Sequence, residues 1–257
     1  MNNLEKLTVI IVTYNTTEKI ILDCLNSIRN NAKVVIVENS NHFIHKDKII
    51  SKYPKTTIYC TGENLGYGGG NNYGIQKIND EYALILNPDV ICDKDLFENI
   101  SKLIDEKKDF SIVGCQYLHD KVFMPAGFFN HNKNKQFKQN FLEDNISSLS
   151  EVEWVTGCSM LLNLNKFKDR KVFDEKFFLY FEEFDLCKSI LNEGKNIYTS
   201  NQLKVHHLGF KSSLSENQNE NLEKINIKDW HYMWSSFYFY KKNYNYIYAL
   251  SKLFGKF

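Results

Sequence analysis

The sequence predicts an α/β protein built on a mostly parallel central sheet flanked by helices, and three observations carry that expectation. Short β-branched runs recur through the first half, helix-length amphipathic stretches separate them, and the runs are apolar at successive rather than alternate positions. Strands covered on both faces show that continuous pattern, because crossover helices pack on either side of a parallel sheet.

Taken in order, LTVIIV (7–12) opens the sheet and TTEKIILDCLNSIRN supplies the first crossover helix. VVIV (34–37) follows with a polar helix candidate behind it, then TIYC (57–60), then YALILN (82–87) with KDLFENISKLIDEK as its helix, then SIVGC (111–115). The alternation breaks there. The polar run at 130–150, NHNKNKQFKQNFLEDNISSLS, reads as a loop. EVEWVTGCSMLLN (151–163), FDEKFFLYFEEFDLCKSILNEG (173–194) and a strand-like NIYTSNQLKVHHLG (196–209) come next, and residues 228–257 form a tail in which lysines interleave with Trp, Tyr and Phe.

Composition narrows the partners. The 257 residues carry 32 Lys+Arg against 31 Asp+Glu, so the global basic field of a nucleic-acid binder is missing and no such partner is expected. Six cysteines without a CxxC pair fit reduced thiols in a cytoplasmic protein, and no apolar leader precedes the first run. No stretch approaches the roughly 20 apolar residues that span a bilayer.

Ligands of open α/β sheets bind beyond the carboxyl ends of the strands. Those positions are Thr13-Tyr14-Asn15, Glu38-Asn39-Ser40, Gly62 to Asn72, and Asn87-Pro88-Asp89. An acid just past a strand also starts turns and caps helices, so Asp89 alone decides nothing. The GYGGGNN spacing is not GxGxxG and follows the third strand rather than the first, which argues against a dinucleotide-binding dehydrogenase. No basic, glycine-rich pyrophosphate loop follows the first strand, which disfavours a nucleotidyltransferase.

Seven segments appear in one order: IIVTYN (10–15), VIVENS (35–40), ENLGYGGGNNYGI (63–75), LILNPDV (84–90), EWVTGCSMLL (153–162), FDEKFFLYFEEFDLC (173–187) and HLGFKS (207–212). Together they resemble family 2 glycosyltransferases of the GT-A fold, in particular the rhamnosyltransferase-like branch. The resemblance implies a domain over 1–227, with a nucleotide-sugar-binding half (1–115) and an acceptor and catalytic half (116–227), ahead of a helical, aromatic tail (228–257). It implies an inverting transfer from a nucleotide-diphosphate sugar, dTDP-rhamnose among the candidates, to a bacterial surface glycan or lipid-linked acceptor.

The resemblance also distributes roles. Thr13, Tyr14, Asn15, Glu38 and Asn39 would line the nucleoside pocket, with Glu38 where the family more often has Asp. Asn64, Gly66, Asn71 and Asn87 would meet the nucleotide sugar, Lys211 its phosphates, and Trp154 and Gly157 the acceptor side. Asp89, the last acid of a DxD-type loop, would hold a divalent cation, with His207 as a second ligand. A hard ion such as Mg²⁺ or Mn²⁺ takes one or two oxygens from protein and the rest from phosphate and water, and an imidazole suits Mn²⁺ better.

Acids beside many aromatics fit a partly buried carboxylate of raised basicity, as in EKFFLYFEEFDLC. The resemblance makes Glu183 the base, with Glu182 and Asp185 beside it in the candidate catalytic set and Asp185 at a helix start. A catalytically silent sugar-binding or scaffold subunit is the alternative function. The tail either lies at the cytoplasmic face of the inner membrane, rings at headgroup level and Lys241, Lys242, Lys252 and Lys256 toward anionic lipid, or packs on its own domain or in a homodimer.

Overall fold

The computed structural model describes residues 3–29, 32–106, 109–118, 125–142, 148–208 and 218–254. Lys211 and Lys256 lie outside them. In chain order the elements are β1 (Leu7–Thr13), α1 (Glu18–Ser27), β2 (Lys33–Glu38), α2 (Lys46–Lys52), β3 (Thr56–Cys60), α3 (Gly66–Gln76), β4 (Tyr82–Leu86) and β5 (Val90–Cys92). Then come α4 (Leu96–Asp105), β6 (Ile112–Leu118), β7 (Ala126–Gly127), α5 (His131–Leu142), β8 (Ser150–Glu151), β9 (Trp154–Val155) and β10 (Ser159–Asn163). The last are α6 (Glu182–Asn192), β11 (Ile197–His207), α7 (Gln218–Asn243) and α8 (Tyr246–Phe254).

The main sheet runs β3-β2-β1-β4-β10-β6-β11-β5, with β8 paired to β11. β1, β2, β3 and β4 are mutually parallel, as are β6 and β11, while β10 runs antiparallel between β4 and β6. In the β10–β4 register Ser159 faces Leu86, so the residues entering β10 share a sheet edge with those leaving β4. That reversal brings the second half of the chain to the site.

The continuous apolar runs divide by the pleat. Val9 and Ile11 of β1 pack into one core with Ile21, Cys24 and Leu25 of α1 and Leu96, Phe97 and Ile100 of α4. Ile10 points the other way, into a second core with Ile75 of α3 and Leu186, Cys187 and Ile190 of α6. α4 shows why such a stretch is helical: Leu96, Phe97, Ile100, Leu103 and Ile104 recur at helical spacing and are all buried. Each large side chain so buried contributes about 1.5–3 kcal/mol.

The expected loop at 130–150 contains a helix instead, α5. Asn130 accepts from the backbone N–H groups of Asn132 (3.0 Å) and Lys133 (3.1 Å), which caps the first turn, and Phe137 packs its ring 5.7 Å from that of Phe128. The Phe137 ring, the Asn130 cap and Asn134, whose Oδ1 accepts from the Phe128 N–H at 2.9 Å, help hold it, and it has too few apolar positions to write a periodic pattern. At the tail, the boundary between residues 227 and 228 falls inside α7, a single helix from Gln218 to Asn243.

Candidate functional site

The first two strand ends are tied to each other. Thr13 donates its hydroxyl to Glu38 Oε2 at 2.6 Å, and the Asn15 backbone N–H donates to Glu38 Oε1 at 3.1 Å. Glu38 is 1% exposed. It therefore spends both oxygens on the β1 loop and holds Asn15 at a left-handed φ of 49°. Tyr14, between these anchors, is half exposed.

α3 carries the glycine run inside a helix, where each glycine ordinarily costs about 1 kcal/mol relative to alanine. Close packing explains them. A Cβ on Gly66, whose φ is +73°, would lie 2.2 Å from the Phe178 carbonyl oxygen, and one on Gly70 would lie 2.7 Å from Val12 Cγ1. Asn64 Oδ1 accepts from the Gly66 N–H at 3.0 Å, and Asn39 Nδ2 donates to the Gly66 carbonyl at 2.8 Å. Asn71 donates to the Tyr67 carbonyl at 3.0 Å. The Oδ1 atoms of Asn39, Asn71 and Asn87 are sealed from solvent without a hydrogen-bond partner among the described residues. Buried orphan acceptors of this kind collect where a structure is built for something other than stability. Asn72, by contrast, is fully engaged with Val172, Phe173 and Glu175 and ties α3 to the segment before α6.

Beyond β4, the Asn87 N–H donates to the Cys158 carbonyl at 2.9 Å. Asp89, 1% exposed, has its Oδ1 3.3 Å from Nε2 of His207, the last residue of β11. His207 pairs with Val90 across β5, whereas His206 is exposed on the opposite face of the strand. No group of three or more His, Cys, Asp and Glu side chains placed to hold a metal occurs among the described residues. One carboxylate and one imidazole nevertheless fit an open site for a hard divalent ion whose remaining ligands are phosphate and water.

The first turn of α6 supplies three further acids, Glu182, Glu183 and Asp185. Glu182 is buried, and Oε2 of both Glu182 and Glu183 lacks a partner among the described residues. Burial raises the Glu183 carboxyl from the ordinary glutamate range to about 7. Glu182 is raised too, by burial first and by the Glu183 charge second. Asp89 and Glu183 both act on the Cys158 thiol, which burial, with these two charges added, pushes up to about 12. The Tyr67 hydroxyl, raised by burial and then by Glu182, Cys158 and Glu183, donates to the Gly157 carbonyl. A Cβ on Gly157 would lie 3.7 Å from Glu183 Cβ, and the Trp154 ring packs 5.4 Å from that of Phe184.

Asp185 is separated from this group chemically. It lies in the first turn of α6, which begins at Glu182 rather than after Asp185, and its oxygens accept from Lys242 Nζ (2.6 Å) and Asn243 Nδ2 (2.9 Å) of α7. The turn entering α6 is strained, with Tyr180 at φ 71° and Phe181 at φ 67°, a cost of about 1–3 kcal/mol for each bulky residue. The motifs give no role to Tyr67, and the expectation that Lys242 faces anionic lipid is corrected here: its Nζ is held by Asp174 at 2.8 Å and Asp185 at 2.6 Å. Tyr67 lies inside the glycine motif with no spacing of its own to mark it, and nothing local to Lys242 signals a partner 57 residues away.

The sequence profile described as Glycosyl transferase family 2 matches residues 8–168. Rhamnosyltransferase WbbL of Escherichia coli (strain K12) is 25% identical over 214 residues, covering 74% of this chain and 78% of that protein. The N-acetylglucosaminyl-diphospho-decaprenol L-rhamnosyltransferase of Mycobacterium tuberculosis is 22% identical over 240 residues, covering 78% and 76%. Among solved structures, that of GalNAc-T7 with UDP, GalNAc and Mn²⁺ superposes with a TM-score of 0.59 at 10% identity, over 78% of this chain. This chain spans 43% of that one, so the likeness is one of fold, the GT-A glycosyltransferase fold.

Proposed function

Because this chain belongs to glycosyl transferase family 2, whose profile covers more than half of it, we propose that it moves one sugar, with inversion, from a nucleotide-diphosphate donor to a lipid-linked glycan acceptor. The observation that carries this reading is that residues 157–158 join the two acids' segments: the Asn87 N–H, two residues before Asp89, donates to the Cys158 carbonyl at 2.9 Å, and a Cβ on Gly157 would lie 3.7 Å from Glu183 Cβ. The carboxylate we assign to the cation and the one we assign as base thus lie on segments joined through β10's entry.

In this reading the nucleoside lies over the β1 and β2 ends, where Thr13, Tyr14, Asn15 and Asn39 offer polar groups and Glu38 fixes the loop. Asn64, Gly66, Asn71 and Asn87 border the sugar and diphosphate. Asp89 and His207 would hold the divalent cation, Mn²⁺ or Mg²⁺, which when bound supplies positive charge to the departing diphosphate. Glu183 accepts the proton of the acceptor hydroxyl as the acceptor oxygen bonds to the anomeric carbon and the bond from that carbon to the diphosphate breaks. Trp154 and Gly157 border the acceptor. Glu182 keeps the pair from ionising together, and Asp185 anchors the helix.

Rhamnose, named for both relatives, is the first sugar to test, and the polyprenyl-diphosphate acceptor named for one of them supports a lipid-linked acceptor here. No helix among the described residues is long and apolar enough to cross a membrane. Ile227, Trp230, Met233 and Trp234 are exposed along α7, and we place this face against the cytoplasmic surface of the bilayer that carries such an acceptor. Incubating the protein with Mn²⁺, a panel of nucleotide sugars including dTDP-rhamnose, and polyprenyl-diphosphate glycans tests the assignment. Release of nucleoside diphosphate with acceptor extension is expected. Donor binding without turnover on any acceptor would instead indicate a silent sugar-binding subunit.

A further inference from the structure

We propose that α7 is a clamp on the turn that presents the catalytic glutamate, with Ser235, Phe239 and Lys242 as positioning residues; the proposal rests on Glu183 as the base. Tyr180 and Phe181 are consecutive aromatic residues in the left-handed region, which bulky side chains rarely occupy. Such a conformation persists only where its surroundings over-determine it. Phe181 is also the residue whose carbonyl accepts the Asp185 N–H at 2.9 Å, so the strained pair starts the helix that carries Glu182 and Glu183.

α7 grips this turn from both ends. On the entering side, Ser235, fully buried, donates its hydroxyl to the Leu179 carbonyl at 2.8 Å. On the leaving side, Lys242 Nζ reaches Asp185 at 2.6 Å and Asp174 at 2.8 Å, and Asn243 meets the other Asp185 oxygen. Between them the Phe181 ring packs 5.4 Å from Tyr232 and 5.5 Å from the buried Phe239, and Tyr180 lies 5.7 Å from Tyr232. A helix that merely covered apolar surface would not need directed polar bonds at each end of one turn. The consequence is that Glu183 is aimed by residues more than 50 positions further along the chain.

The test is the double variant Ser235→Ala/Lys242→Met in the full chain, with steady-state kinetics, calorimetric nucleotide binding and thermal melting. A misplaced base lowers kcat, here by about ten- to a hundredfold, while donor KM and nucleotide affinity stay within about twofold. Adding Tyr180→Gly, which takes a positive φ without strain, should then restore part of kcat. Ile100→Val, in the core far from the turn, controls for lost stability at a matched melting temperature. Loss of kcat no greater than in that control, a rise in donor KM in step with the loss, or no rescue by Tyr180→Gly each overturns the clamp. Glu183→Gln reports separately on the base. An inactive Glu183→Gln beside fully active clamp variants overturns the clamp alone, and an active Glu183→Gln overturns the base.

Discussion

His207 ends β11 with its Nε2 3.3 Å from Oδ1 of Asp89, joining a strand end to the turn between β4 and β5, two residues 118 positions apart. Asp89 is buried and His207 only partly so, which makes the carboxylate the fixed partner and the imidazole the adjustable one. Asp89→Ala should therefore abolish turnover, by about 10²-fold or more, at any Mn²⁺ concentration. His207→Ala should shift the Mn²⁺ titration to higher concentration and leave partial activity. Near-normal turnover of Asp89→Ala in chelator-treated buffer would remove the cation from the reaction.

Glu183→Gln keeps the shape of the side chain but takes no proton. Its kcat is expected to fall by about 10²–10⁴ with donor affinity by calorimetry unchanged. If Glu182→Gln were the inactive variant and Glu183→Gln turned over normally, the base would be the other member of the pair.

The raised Glu183 carboxyl also sets a stability gradient. Between an unfolded-chain value of about 4.3 and the folded value of about 7, the native protein holds a proton that the unfolded chain has released. Stability from this group thus falls as pH rises through that window and is fully present below it. Glu183→Gln should accordingly be more stable than wild type at pH 8, by about 1–3 kcal/mol, and equal to it near pH 4. Urea titrations at the two pH values check this, and a gain of equal size at both would assign it to something other than ionisation. Turnover should show the mirror image, with kcat climbing through neutral pH as the base ionises.

Two glycines of similar backbone angle separate conformational strain from collision. Gly66 (φ +73°) faces the Phe178 carbonyl, whereas a Cβ on Gly194 (φ +70°) would meet nothing within 4 Å. Gly194→Ala should cost about 1 kcal/mol, the penalty of a left-handed alanine. Gly66→Ala should cost several times more, because a carbonyl at 2.2 Å forces α3 and the Phe178 segment apart. Equal losses in denaturant melts would mean that this contact yields freely.

Trp230 and Trp234 stack 6.2 Å apart with both rings about half exposed. Replacing both with Ser should lower flotation with liposomes containing anionic lipid while preserving turnover on a water-soluble acceptor. Flotation equal to wild type, or none from either protein, would assign that face to another role.

The strands were legible because burial on two faces writes itself as an unbroken apolar run, and α4 because its five core residues repeat at helical spacing. The reversed direction of β10 was not, since SMLLN reads the same pointing either way. α5 escaped because Phe137 is nearly its only core residue. At the site, the strand ends that meet in space could be picked out by their polar residues. What they do to one another could not: that Glu38 turns back to Thr13 and Asn15, that Tyr67 reaches Gly157, and that Lys242 closes on Asp185 are long-range pairings between individually ordinary side chains.

The strand order has a consequence for synthesis. β3, β2, β1 and β4 are contiguous in the sheet and are all in hand once residue 86 has been made. β6 must wait for β10 and β11, its neighbours on either side, and α7 comes later still. At about 5–20 residues per second, a ribosome completes β10 about 4–15 seconds after β4, and β11 later still. During that interval the β4 edge, destined for β10, stays open on the nascent chain, as a template for any strand that arrives first. The strand ends proposed to meet the nucleotide are therefore born early and exposed along one side, and the turn that carries Glu183 takes its shape last, when the helix that packs on it emerges.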